Sequence, residues 1–129
     1  MISKELVYTK NAPDPVGPYS QAVMYNGLVY CSGQIAIHPE SGALITGSIQ
    51  DETRQVLDNL SAVLKAAGSS LEQVIKVSVF VADITQFDEI NVVYETYFSE
   101  SKPARALVEV SKLPKGVNIE VEAIAAVPA

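Results

Sequence analysis

The stretch at residues 101–110 reads SKPARALVEV, an apolar run entered through Pro103 and interrupted by Arg105. The chain has only two arginines; the other, Arg54, lies among polar residues in a helical stretch. A guanidinium does not lose its proton in a protein, so placing one in a half-buried strand calls for an anion. Either the chain supplies that anion or a ligand brings it. By strand periodicity Arg105, Leu107 and Glu109 share one face, as do Glu120 and Glu122 further on. The turn Leu113-Pro114-Lys115-Gly116 between the two segments predicts antiparallel neighbours, with Arg105 close to Glu120. Two readings stand side by side. One is a structural Arg–Glu pair. The other is an arginine fork that grips a ligand carboxylate, leaving Glu120 to handle a water.

Two further stretches offer close backbone approach. GPYSQ (17–21) precedes a strand, and CSGQ (31–34) ends one with small residues whose N–H groups a ligand can reach. Other signatures are missing: the sequence holds no GxxxxGK[ST], GxGxxG, CxxC or HExxH. With one histidine and one cysteine, a conventional zinc site is not expected. His38, in the turn-like IHPESG, reads as a solvated loop residue; Cys31, mid-strand, reads as a small hydrophobe.

The elements that position these residues follow from periodicity. Lys4–Thr9 is a candidate first strand. Gln21–Tyr25 and Leu28–Ser32 flank Asn26-Gly27, a two-residue hairpin signal. Residues 51–67 place Val56, Leu57, Leu60, Val63 and Leu64 on one helical face, with Ser48 or Asp51 as cap and Gly68 as stop. Val74–Ala82 alternates, with Ile75, Val77, Val79 and Val81 on one side. Thr85–Asp88 resembles a capping box ahead of a second helix carrying Phe87, Ile90, Tyr94, Tyr97 and Phe98. Pro103 opens the Arg105 strand, and Val117–Val127 is the last. Two amphipathic helices stacked on one sheet face make a two-layer α+β domain. The opposite face, with Arg105, Ser78 and Glu120 as candidates for it, is then partly apolar, which predicts an oligomer.

Composition narrows the function. The chain has 129 residues, 48% of them hydrophobic, enough for one domain with a real core. Nine basic residues against fifteen acidic ones, with no basic cluster, argue against nucleic-acid binding. A single cysteine suits a reducing compartment. No apolar run reaches the length of a membrane span and the N-terminus lacks a signal-like core, so the expectation is a soluble cytoplasmic protein.

Several short motifs occur in order along nearly the whole sequence: AP…GPYSQAV (12–23), VYCSGQI (29–35), TRQVLDNL (53–60), AAGSSLEQVIKVSVFVADI (66–84), FDEINVVYETYF (87–98), PARALVEV (103–110) and LPKGVNIEVEAIA (113–125). Together they resemble the RidA/YjgF family of reactive-intermediate deaminases, whose members also carry the older labels translation initiation inhibitor and endoribonuclease L-PSP. The resemblance implies that residues 1–129 form one RidA-like domain with a chorismate-mutase-like α+β fold. A mixed sheet would carry two helices on one face, in a homotrimer with a central barrel and three clefts between subunits. The implied activity is hydrolysis of 2-aminoacrylate, 2-aminocrotonate and their imines to 2-keto acids and ammonia, with no cofactor or metal. In that reading Arg105 binds the substrate carboxylate, and Glu120 handles the water. Tyr19, Ser32, Gly33 and Asn91 line the cleft, with the main-chain carbonyl of Leu107. Cysteine is frequent in the family where this chain has Leu107, a departure that bears on cleft shape. The rivals are a non-catalytic sensor or chaperone for small carboxylates, and a translation inhibitor or ribonuclease, which the acidic balance disfavours.

Overall fold

The computed structural model describes residues 3–129. Six strands and two helices run in the order β1 (Glu5–Val7), β2 (Ala22–Tyr25), β3 (Leu28–Gln34), α1 (Ile49–Ala66), β4 (Val74–Val81), α2 (Phe87–Phe98), β5 (Ala104–Glu109) and β6 (Ile119–Ala126). They form one mixed sheet of order β1-β2-β3-β6-β4-β5. Only β4 and β5 pair in parallel. Both helices cover the same face.

Local chemistry explains most element boundaries. Asn26 and Gly27 take φ of 52° and 79°, the left-handed pair that a two-residue hairpin needs, and join β2 to β3. Ser48, not Asp51, caps α1: its side chain accepts the Asp51 N–H at 3.0 Å. Gly68, at φ 81°, stops the helix. Val56, Leu57, Leu60, Val63 and Leu64 are fully buried against Val77, Val79, Ile119 and Val121 of the sheet.

Three local expectations change. The capping box at Thr85–Asp88 does not form. Asp83, two residues before Thr85, accepts both the Thr85 N–H (2.9 Å) and its hydroxyl (2.6 Å), and Gln86 makes no side-chain cap bond to α2. Asp83 wins because its short carboxylate reaches the next turn's donors from an extended backbone. Ile75 does not share the buried side with Val77, Val79 and Val81. The β4–β6 register shifts between Val74 and Lys76, which buries Val74 and leaves Ile75 49% exposed.

The third correction concerns topology. β5 and β6 are not neighbours: β4 lies between them. β6 fills the gap that the β3–α1–β4 crossover leaves open and pairs antiparallel on both sides, with β3 and β4. A central position satisfies two ladders of backbone groups, whereas the edge beyond β5 offers one.

Candidate active site

Register decides where each candidate side chain points. Arg105 is the partner of Val77, and Leu107 of Val79. Both valines are buried, so Arg105 and Leu107 face the helices. Glu120 is the partner of Phe80 and Glu122 of Ser78, on the opposite, uncovered face. The expectation that Arg105 sits on the uncovered face with Ser78 and Glu120 is therefore corrected for Arg105 alone. Two strand steps of about 4.8 Å and three residues of about 3.3 Å along β4 put the Arg105 and Glu120 Cα atoms roughly 14 Å apart. Within one chain the two side chains do not pair.

The arginine half of the site is built by α2. Arg105 donates through Nη1 to the Asn91 side-chain oxygen at 2.7 Å. Its guanidinium carbon stands 4.6 Å from the Tyr94 ring centre and 5.6 Å from that of Phe87. Tyr94 is backed in turn by Phe98, ring centres 4.6 Å apart. These aromatic faces hold the cation without neutralising it. Among the described residues the one ion pair is Arg54–Asp51 on the surface, so no carboxylate of this chain pairs with Arg105. Beside it opens a cleft of about 360 Å³ whose lining includes Asn91, Tyr94, Phe98, Lys102, Arg105 and the acidic Glu95, which makes no ion pair with Arg105. Asn91 thus orients Arg105 as well as lining the cleft. Burial pushes the Tyr94 hydroxyl above its ordinary pKa, with the Arg105 charge opposing, which leaves the ring neutral and its face electron-rich. Leu107, half-buried, packs its side chain against the core.

The glutamate half lies at the β3–β6 junction. The register between these strands shifts between Cys31 and Gln34, and Gly33 sits in that irregularity. A β-carbon on Gly33 would run into the Glu120 carboxylate and lie 2.8 Å from its carboxyl carbon. A side chain at position 33 would displace the Glu120 carboxylate, the flexible end of its side chain, from its place against β3. The half-burial that follows, and to a smaller extent the negative charge of Glu122, raises the Glu120 pKa above the ordinary carboxylate value. Ser32 donates its hydroxyl to the Ser20 carbonyl at 2.6 Å, while its N–H donates to the Gln21 carbonyl at 2.9 Å. These bonds tie β3 to the GPYSQ loop. Tyr19, 49% exposed, accepts the Val16 N–H at 3.3 Å.

Two buried amides that sequence patterning did not single out hold this half in place. Gln21 accepts the Thr9 N–H at 2.7 Å and donates to the carbonyls of Thr9, Ala12 and Pro13, pinning the loop that leads to Tyr19. Asn59 on α1 donates to the carbonyls of Ile35 and Ile37, just past Gly33. An isolated polar residue on an apolar helical face was the available signal. Cys31 is buried, and its thiol is pushed up to about 12, so it holds its proton and packs as a hydrophobe. His38 accepts the backbone N–H groups of Glu40 and Ser41 and closes its own loop.

The fold is that of a small α+β protein of a recognised class. The family model described as endoribonuclease L-PSP matches residues 9–127. A RutC family protein of Pyrococcus horikoshii is 55% identical over 122 residues, covering 95% of this chain and 97% of that protein. The human 2-iminobutanoate/2-iminopropanoate deaminase is 44% identical over 122 residues, covering 95% of this chain and 89% of its own length. The crystal structure of Escherichia coli TdcF with bound serine superposes with a TM-score of 0.90 at 41% identity, covering 95% of this chain and 98% of TdcF. The chain belongs to the RidA/YjgF (endoribonuclease L-PSP) family. Among the described residues no helix is long and apolar enough to cross a membrane.

Proposed function

We propose that this protein hydrolyses small 2-imino acids and their enamine tautomers, such as those of 2-aminoacrylate and 2-aminocrotonate, to 2-keto acids and ammonia. The observation that carries the reading is Arg105: a fixed cation on a cleft wall, bound by a neutral amide and two aromatic faces, with no carboxylate among the described residues within ion-pair distance. A substrate carboxylate completes it bidentately and thereby places the imine carbon. The name of the human relative and the serine held by TdcF agree with a short substrate bearing a carboxylate.

Glu120 supplies the proton chemistry. Its carboxylate takes a proton from water as the water oxygen bonds to the imine carbon, and passes that proton to the nitrogen, which receives the C=N electron pair. Glu120 then takes the hydroxyl proton of the resulting carbinolamine as the C=O bond forms and gives it to the amine, so that the C–N bond breaks and ammonia leaves. General acid–base help of this kind contributes about 10²- to 10⁴-fold. The main-chain carbonyl of Leu107 is a second acceptor for the water. Gly33 borders Glu120, and Tyr19 and Ser32 are proposed to line the same end of the cleft.

Arg105 and Glu120 face opposite sides of one sheet, so the proposed site needs two copies of the chain. Leu6, Tyr25, Tyr30, Val108 and Ile124 lie with Glu120 on the face the helices leave bare, and the first four of these are well exposed. An apolar face of that kind is covered by association. The proposed assembly is a homotrimer around a central barrel, with Arg105 of one copy opposite Glu120 of the next in each of three clefts. The separation within one chain also suits a second reading, in which the Arg105 cleft alone holds small carboxylates without turning them over.

A coupled assay separates the two. A dehydratase generates the imine in the presence of semicarbazide, and keto acid and ammonia are followed. The expected result is diversion of imine to keto acid by the wild type, and a loss of roughly 10²-fold or more in Arg105→Ala with the melting curve unchanged. Equal turnover in that variant would remove the assigned role. Carboxylate binding without ammonia release would favour the holding module.

A further inference from the structure

We propose that Glu52, on the buried face of α1, is the positioning residue that sets the geometry of Glu120. Its role as catalytic positioner rests on the reading of Glu120 given above. Glu52 is fully buried. One carboxylate oxygen accepts the backbone N–H of Asn118 at 2.7 Å and that of Ile119 at 3.2 Å; the other accepts the Asn118 side-chain amide at 2.8 Å. No cation shares the site among the described residues.

A buried carboxylate without a cation is costly unless donors converge on it, and a hydrophobe of similar size would cost less. Here the donors converge on one place, the first turn of backbone entering β6. The Asn118 carbonyl is engaged as well, by the Ala82 N–H at 3.0 Å. The segment is therefore gripped on both sides of its chain immediately before Glu120. Residue 119 points into the core and residue 120 to the other face. A rotation of the strand at Ile119 moves the Glu120 carboxylate relative to Gly33, against which it lies. A reacting group must be held to within about 0.5 Å. An acid on α1 that reads the strand's N–H groups is a rigid way to do so, because the helix is itself locked into the core.

The test uses three variants of the full-length protein. In Glu52→Gln one amide oxygen still accepts both backbone N–H groups, and rotation of the Asn118 amide restores the third bond; kinetics and Glu120 titration should match the wild type. In Glu52→Leu both acceptors are lost. The titration of Glu120, followed by carboxyl ¹³C NMR, should move down towards an ordinary carboxylate as the Gly33 contact loosens. At the same time kcat should drop by up to 10²-fold with KM unchanged, since Arg105 is remote. Glu52→Asp, whose shorter arm cannot reach both backbone groups, should move both readouts the same way by less, and serves if Glu52→Leu does not fold. A Glu120 titration identical to the wild type in every folded variant overturns the proposal. So does a kcat loss in Glu52→Gln equal to that in Glu52→Leu. Because the titration does not depend on turnover, an inactive wild type would sink the hydrolase reading while leaving the positioning role to be judged by NMR.

Discussion

At the residue scale the proposed chemistry divides between a cation kept unneutralised and an acid kept partly dry. Both conditions are set by neighbours of ordinary type. Asn91 and Tyr94 bind Arg105 without cancelling its charge. Gly33 and Glu122 raise the Glu120 pKa, the first through burial and the second through charge. Under the proposed reaction Glu120 is a base only when ionised, so kcat/KM should fall as pH drops through a midpoint above the ordinary glutamate value. Glu122→Gln removes the charge contribution and should move that acid limb to lower pH in a pH–rate profile. The stability linkage has the matching sign. With the folded pKa raised, the native state binds more protons than the unfolded chain between the two values, so this group's contribution weakens as pH rises through that window. Gly33→Ala forces a β-carbon into the Glu120 side chain. It should leave urea stability nearly unchanged, because the flexible end of a half-exposed side chain can move aside, and lower turnover more than substrate binding.

At the element scale the two helices act as tool-holders. α2 carries Asn91, Tyr94 and Phe87 at helical spacing beneath Arg105; α1 carries Asn59 and Glu52, whose bonds reach the far ends of β3 and β6. Asn59→Ala should cost about 1–2 kcal/mol, because two part-buried carbonyls beneath the helix lose their donor. Thermal melting measures the loss, and Asn59→Asp, which also lacks the donor, should not recover it. The helices and the Asn-Gly hairpin were readable in the sequence because their signals are local: a 3.6-residue apolar period, Ser48 at the cap, Gly68 at the stop, two left-handed residues at the turn. Ile75 and the Thr85 cap were misjudged because a register shift and a competing carboxylate depend on what lies across the strand or one turn back.

For the whole molecule the deciding fact is a sheet with one bare apolar face. Tyr30, 43% exposed, and Ile124 are direct cross-strand partners there. Under the proposed trimer, Ile124→Glu should yield a smaller species in analytical ultracentrifugation and abolish imine hydrolysis while far-UV circular dichroism stays native. A fully active monomer would show that one chain suffices and would end the shared-cleft proposal. Under the same proposal, association through this face brings Arg105 of one copy opposite Glu120 of the next although a sheet separates them within each chain.

The amino-acid order alone determined which residues are chemically unusual and which segments are helix or strand. A lone arginine before alternating apolar residues, a glutamate pair in the last strand and glycine in SGQ are legible because type and spacing need no partner to be seen. Only the tertiary structure decided that β6 inserts between β3 and β4, which turns the expected Arg105–Glu120 neighbours into residues on opposite faces. Strand order is a competition among long-range pairings. β6 matches both β3 and β4 in register and burial, and a local turn motif such as LPKG carries no information about that contest.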